Sequence, residues 1–263
     1  SELPQPTTHG DTRRPEITLA LKDVSIPTAT GSRDLISHIS FNLHAGEVVG
    51  IAGVEGNGQA ELVEAIMGLR DYTGSIDFQG SSIDHMTVAH RHDLGIGLIP
   101  EDRQRQALMM NSPLWENRIL GHQRGKPVMR GIVLDKKATI ADTKRIMEEF
   151  DVRAPGPMTA AAALSGGNQQ KFIVGREMSK APALLVASHP TRGVDIGAQG
   201  AIWEVLREAR SKGMAIVLIS ADLEELIGMS DRLLVMLRGA ITAELDPQKT
   251  TPEQLGSAMT GAA

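Results

Sequence analysis

The segment Gly53, Val54, Glu55, Gly56, Asn57, Gly58, Gln59, Ala60 has the spacing G-x-x-x-x-G followed by two further residues. Glycines at this spacing let a backbone curl until several N–H groups converge. The helix that follows then adds the positive end of its dipole. That is chemistry for holding phosphate. A phosphate-binding loop of this spacing closes on Lys and then Ser or Thr, one to reach the β and γ phosphates and one to hold magnesium. Here the closing residues are Gln59 and Ala60. The backbone devices are present and the side-chain ones are not. Two other readings stand beside this one. The segment can be a plain Gly-rich turn that binds nothing. It can also be a dinucleotide loop G-x-G-x-x-G, although the third glycine of that pattern falls on Glu61.

Other chemistry-bearing groups are weaker. His85, His90 and His92 cluster in DHMTVAHRH. A metal site is one reading; solvated histidines on an exposed helix and loop are the expectation. Glu224 and Glu225 open a helical stretch, where the dipole favours negative charge, so capping accounts for them. Arg103 and Arg105 read either as a solvated loop or as a contact surface. The chain has no cysteine, which excludes disulfides and thiolate metal sites.

The elements that must position these groups are legible from periodicity. ITLALKDVSI and ISHISFNL alternate as half-buried strands do, and EVVGIAG is a continuous apolar run of a strand buried on both faces. EVVGIAG feeds the glycine loop and then QAELVEAIMGL, where Leu62, Ile66 and Leu69 recur at helical spacing. TGSIDFQG and GIGLIP add strands. Residues 103–163 are polar, broken by Gly and Pro, and expected to form a mostly helical insertion with KKATIADTKRIMEEF as one helix. After it come the helix SGGNQQKFIVGREMSK, the strand PALLVAS, the helix AQGAIWEVLREARSKG, the strand MAIVLIS, the helix DLEELIGMS and the strand DRLLVMLRG. Strands alternating with helices imply a mostly parallel sheet covered on both faces, an α/β fold.

Composition narrows the class. With 263 residues, 41% hydrophobic and 22% charged, the chain has the balance of an ordinary globular protein. A net charge of -5 and 3% aromatics argue against a nucleic-acid partner, which needs a basic field and stacking surfaces. No apolar run approaches the ~20 residues of a spanning helix. The start, SELPQPTTHGDTRRPE, lacks the apolar core of a signal peptide and reads as a linker over residues 1–16. A linker placed first suggests a preceding part of a longer parent chain, with residues 17–263 as one domain.

Leu164, Ser165, Gly166, Gly167, Asn168, Gln169, Gln170 and Lys171 spell LSGGNQQK at the start of a helix. LSGG so placed resembles the signature of ATP-binding-cassette proteins, and the extended form looks like the tandem-domain importers of sugars and nucleosides. The order of glycine loop, LSGG and then PTRGVD after a buried strand is similar to that family over residues 17–245. The resemblance implies a P-loop NTPase-like mostly parallel sheet flanked by helices, with an antiparallel β edge and a helical subdomain at 103–163. It implies head-to-tail pairing, with each ATP held between the glycine loop of one cassette and the signature of the other. Ser165 can cap the helix, and Gly166 and Gly167 leave its N–H groups open to a γ-phosphate. Asp195 matches the residue through which family members communicate across the dimer.

Measured against the same family, other positions depart. The strand ALLVAS should end in an Asp for magnesium and a Glu that polarises water; Ser188 and His189 stand there. A histidine can act as a base, but a satisfied structural histidine is the expectation. The Gln after GIGLIP is Glu101, the switch histidine is Ala221, and the adenine-stacking aromatic is Ile26. These changes imply a degenerate hydrolysis site that binds ATP weakly and holds Mg2+ weakly. GVEGNGQ, PEDR and HPTRG look closest to the C-terminal cassette of the nucleoside-type branch. Implied partners are a second, competent cassette in the same polypeptide, membrane-spanning permease subunits near residues 103–163, and indirectly a periplasmic or lipoprotein solute-binding protein. The implied place is the cytoplasmic face of the cell membrane. An independent ATPase using His189, and a non-transport regulatory cassette, are the competing readings.

Overall fold

The structure is a computed structural model, and it describes residues 10–28 and 34–261. In chain order the elements are β1 (Ile17–Pro27), β2 (Asp34–His44), β3 (Val48–Ala52), α1 (Gln59–Met67), β4 (Thr73–Phe78), β5 (Ser81–Ser82), α2 (Val88–Asp93) and β6 (Ile96–Ile99). Then follow α3 (Leu114–Asn117), β7 (Met129–Arg130), β8 (Val133–Leu134), α4 (Lys136–Glu149), α5 (Gly166–Met178), β9 (Leu184–Ser188) and α6 (Ile196–Ser211). The chain ends in β10 (Ala215–Ile219), α7 (Leu223–Met229), β11 (Arg232–Leu237), β12 (Ala240–Leu245) and α8 (Pro252–Thr260).

The chain divides into two compact units. Among the described residues, the first comprises 10–28, 34–98, 183–189 and 203–261 and holds the two larger sheets. Its larger sheet runs β12-β11-β3-β10-β9-β6. β3 pairs in parallel with β10 and β11, β10 pairs in parallel with β9, and β12 closes the edge antiparallel. Every residue of β3, β9 and β10 is buried, which is why VVGIA, LLVAS and AIVLI are unbroken rather than alternating. Gly50 is the residue β3 needs, because a Cβ there would run into the Ser230 hydroxyl. An antiparallel sheet, β2-β1-β4-β5, supplies the second layer, and its inward residues Leu19, Leu21, Ile36 and Ile39 join Val49, Ile51 and Val217 in one core. The mixed sheet of mostly parallel strands, the antiparallel sheet and the flanking helices are the α/β architecture expected from the residue pattern.

Leu69 is a correction. The periodicity places it on α1, but the helix ends at Met67, where Gly68 turns left-handed at φ 73, and Leu69 is 58% exposed. A glycine just past the last turn stops a helix at no steric cost. Within the segment read as a linker, residues 1–9 lie outside the described residues. Residues 10–14 are bonded to the body of this unit: Arg14 N–H donates to Ala45 C=O at 2.8 Å and Thr12 Oγ1 to Gly46 C=O at 2.7 Å.

The second unit comprises residues 99–182 and 190–202. It contains a π-helical turn at 103–107, α3, the β7–β8 hairpin, α4, α5 and the start of α6. The hairpin is invisible to periodicity, since its strands are two residues each. Polar groups organise this unit as much as apolar ones. Asn117 is fully buried, accepts Met109 N–H at 2.7 Å and donates to the carbonyls of Met109, Ser112 and Pro113. Arg118, 1% exposed, pairs with Asp142 at 2.6 Å. Arg176 donates to Ala107 C=O at 2.8 Å and to Asn117 C=O at 3.2 Å. Among the described residues no helix is long and apolar enough to cross a membrane.

Candidate nucleotide site

In the first unit β3 delivers the chain into the glycine loop, and α1 starts at Gln59. Gly56 and Gly58 sit at φ 87 and 107, conformations that side chains resist. Gly58 is the N-cap of α1 and offers no side-chain cap, so the first amides of the helix remain open for another acceptor. The loop is braced by Asn57. Its Nδ2 donates to Val54 C=O at 3.0 Å, and its Oδ1 accepts Arg238 N–H at 2.7 Å. Gln59 is turned inward. It is 8% exposed, its Nε2 donates to Val54 C=O at 3.2 Å, and its amide fills the place a Cβ on Gly53 would take. Glu55 and Ala60 are exposed, and Glu61 is half-buried in the first turn of α1.

Ser188 ends β9, buried and opposite Ile219. His189 follows in a left-handed conformation at φ 49. Its N–H donates to Ile219 C=O at 2.7 Å, and its ring Nδ1 accepts Ala221 N–H at 3.2 Å. Ile26 is 2% exposed within the core and offers no ring face.

The capping account of the acidic pair needs correction. Asp222 is the cap of α7, accepting the N–H groups of Glu224 and Glu225. Glu224 is exposed, whereas Glu225 is fully buried and accepts Trp203 Nε1–H at 2.7 Å and the Ser220 hydroxyl. His85 and His90 are exposed, as read; His92 is half-buried.

The signature lies in the second unit. Ser165 is the N-cap of α5, and its Oγ accepts Asn168 N–H at 3.4 Å and Asn168 Nδ2 at 3.0 Å. Those bonds leave the amides of Gly166 and Gly167 at the positive end of the helix, where anions bind. Leu164 is buried below the turn. Gln169 is 3% exposed and donates to Ala161 C=O at 3.1 Å and Leu164 C=O at 3.3 Å. Both glycines are forced by close approach. A Cβ on Gly166 would meet Arg103 Nη2 at 2.6 Å and Gly193 C=O at 2.8 Å, and one on Gly167 would meet Asp195 Oδ2 at 2.9 Å. Asp195 uses its other oxygen to cap α6, accepting Ala198 N–H at 2.9 Å.

Arg103 was read as a loop or contact-surface residue, and Arg192 was not singled out by the sequence; the structure joins them. Arg103 is half-buried and bonded: it donates to Arg192 C=O at 2.6 Å, Gly193 C=O at 3.1 Å and Gln169 Oε1 at 3.3 Å. Arg192 in turn pairs with Glu101. The signal available was charge alone, PEDR against TRG, and nothing in a linear sequence brings those segments together.

Magnesium takes oxygen ligands, with carboxylates foremost. Within the first unit, Ala60 carries no oxygen donor and Nδ1 of His189 already accepts Ala221 N–H.

Residues 36–192 match the model of a protein family described as ABC transporter. The chain is 42% identical over 244 residues to the guanosine import ATP-binding protein NupO of Bacillus subtilis, covering 92% of this chain and 48% of that protein. It is 39% identical over 247 residues to the nucleoside import ATP-binding protein NupA of Lactococcus lactis, covering 94% and 49%. The chain therefore spans about half the length of the curated relatives it matches. The solved ADP conformation of MJ1267, an ATP-binding cassette of an ABC transporter, shares the fold at a TM-score of 0.73 and 21% identity, over 93% of this chain and 95% of that one. The chain belongs to the ABC transporter family, as an ATP-binding domain close to those of sugar and nucleoside import ATPases.

Proposed function

We propose that this chain donates the signature half of a composite ATP site to a partner cassette and hydrolyses little or no ATP at its own glycine loop. The contrast between two turns carries the reading. Both turns leave helix-start amides open, but the signature turn is complete in its residues, with Ser165 as cap, while the glycine loop holds the neutral Gln59 amide, folded back on Val54 C=O, where a phosphate loop has a lysine. Phosphoryl transfer is accelerated mainly by charge-stabilising groups and metal. Gln59, Ala60, Glu101, Ser188, His189 and Ala221 supply few of these, so ATP and Mg2+ are held weakly here. Asp195, capping α6 beside Gly167, is placed to transmit the state of the signature turn.

The wider setting follows from the relatives. The chain is the C-terminal cassette of a tandem polypeptide, which its span of about half of each relative supports. Residues 17–263 form the cassette, and 103–163 are its inserted subdomain. It works at the cytoplasmic face of a membrane with permease subunits and, indirectly, a solute-binding protein, in an importer of nucleosides or simple sugars.

Steady-state phosphate release tests this. The purified chain is expected to stay at background, and to contribute to turnover only when assembled with a competent cassette. Magnesium-dependent release by the lone chain, abolished in His189→Ala, overturns the proposal and makes the chain an independent ATPase.

A further inference from the structure

Outside the signature, the side chains of Glu101, Arg103 and Arg192 interlock, and Arg103 reaches the signature helix. Arg103 spends its planar fork on three acceptors: Arg192 C=O at 2.6 Å, Gly193 C=O at 3.1 Å and Gln169 Oε1 at 3.3 Å. Arg192 reaches back to Glu101. The loop after His189 and the segment after β6 thus grip each other twice, backbone to side chain in one direction and side chain to side chain in the other.

The gripping segment is itself preformed. Asp102 caps the π-helical turn, accepting Gln104 N–H and Arg105 N–H at 3.1 Å each. Further along, the gripped loop is held again by Asp195 capping α6. Between these two anchors lies Gly193, whose carbonyl stands where a Cβ on Gly166 would fall, beside Arg103 Nη2. Gln169, one turn into α5, takes the remaining arm of Arg103 and ties it to Ala161 and Leu164 at the entry to the signature. A shift of the 192–193 loop by an ångström would therefore press on Gly166 or release Gln169.

We propose that Arg103, locked by the Glu101–Arg192 pair, is a positioning residue for the signature half-site. It presets the Gly166–Gly167 turn and the Asp195 loop in their working register without any ligand in this chain's own glycine loop. The proposal rests on the signature-donor reading and adds residues to it. The clamp needs no ligand: Glu101 pairs with Arg192, and Arg103 binds two carbonyls and the Gln169 amide oxygen. Arginine suits this because its acceptors are met by three separate nitrogens of one planar fork, whereas a lysine presents its three donors from a single nitrogen.

Two measurements test it. In the assembled importer carrying this chain, Arg103→Ala is expected to lower kcat/KM for ATP by about tenfold or more, since ångström misplacement costs up to about a hundredfold. Arg103→Lys recovers less than half of that loss, and combining Glu101→Arg with Arg192→Glu restores most of what Glu101→Gln removes. In the chain alone, hydrogen exchange at residues 165–169 and 190–196 quickens in Arg103→Ala while the midpoint of unfolding barely moves. Unchanged kcat/KM together with unchanged exchange overturns the proposal, as does full recovery by Arg103→Lys. Ser165→Arg separates the two readings. If it leaves turnover intact, the signature-donor reading fails, and exchange alone judges the clamp. If it abolishes turnover and Arg103→Ala does not change it, only the clamp fails. Should Arg103→Ala not fold, Arg103→Lys and Glu101→Gln carry both measurements.

Discussion

The backbone N–H of Ala221 donates to Nδ1 of His189 across 3.2 Å. These are the two positions where the family resemblance places a switch and a general base, and here they satisfy each other. The ring is further fixed by its own backbone, left-handed at φ 49 with the N–H tied to Ile219. Asparagine tolerates this conformation and can accept the same bond, whereas a β-branched residue cannot. His189→Asn is expected to leave the urea midpoint nearly unchanged, and His189→Val to cost about 2 kcal/mol or more from strain and a lost acceptor. Neither should alter the background phosphate release of the lone chain. A tolerated valine would show that the turn does not depend on this residue.

Gln59 sets the second expectation. Its amide occupies the loop by donating to Val54 C=O, a neutral bond that gains nothing from an incoming phosphate. A lysine at the same position brings a full charge to the β and γ phosphates, and charge-assisted bonds are about twice as strong as neutral ones. Gln59→Lys combined with Ala60→Ser should tighten ATP binding by about tenfold, equivalent to about 1.4 kcal/mol. Calorimetry on the wild-type and double-variant chains checks this. Equal affinities would mean that the backbone of the loop, held by Asn57 against Arg238, does not admit phosphate.

Much of this was legible in the residue pattern, for identifiable reasons. Strands buried on both faces announce themselves as apolar runs, so β3, β9 and β10 were plain in the sequence. Ser165 was readable as a cap because capping is local, three residues from donor to acceptor. What the pattern did not show is contact between distant segments. Arg103 lies 90 residues from Gly193 and Arg192 lies 91 from Glu101. Glu225 looked like a dipole-facing surface residue because its two donors, Trp203 and Ser220, reach it only through the packing of α6 and β10 against α7. The β7–β8 hairpin was hidden for the opposite reason, being too short to show a period.

Glu225 supports a stability test. Its carboxylate is fully buried, and it is the acceptor for Trp203 Nε1–H at 2.7 Å and for the Ser220 hydroxyl. Removing the acceptor leaves two buried donors without it, at about 1–3 kcal/mol each. Glu225→Leu is expected to lower unfolding free energy by about 3 kcal/mol, and Glu225→Gln by roughly half as much, since the amide oxygen keeps one acceptor. Denaturant titration followed by the fluorescence of the two tryptophans, Trp115 and Trp203, reads both. A loss below about 1 kcal/mol in Glu225→Leu would mean that water or neighbouring groups replace the carboxylate.

The chain's single tyrosine gives a pH reporter in the first unit. Tyr72 donates to Asp84 at 2.9 Å and accepts from the buried Arg91 at 3.3 Å. Burial is the chief cause that pushes its phenol up to about 12; the Arg91 bond pulls it down, and the Asp84 bond raises it again. A folded-state value above the ordinary 10.0 means that the folded chain holds the proton more tightly than the unfolded one. The stability Tyr72 contributes is therefore complete below pH 10.0 and is lost as pH rises toward 12. Tyrosinate absorbance of the native chain is expected to rise with a midpoint near 12, and in concentrated urea near 10.0. Asp84→Asn removes a negative neighbour and should bring the native midpoint down. Native absorbance that titrates at 10.0, the same as in urea, would show that the phenol is solvated and that the Arg91–Tyr72–Asp84 chain does not persist in solution.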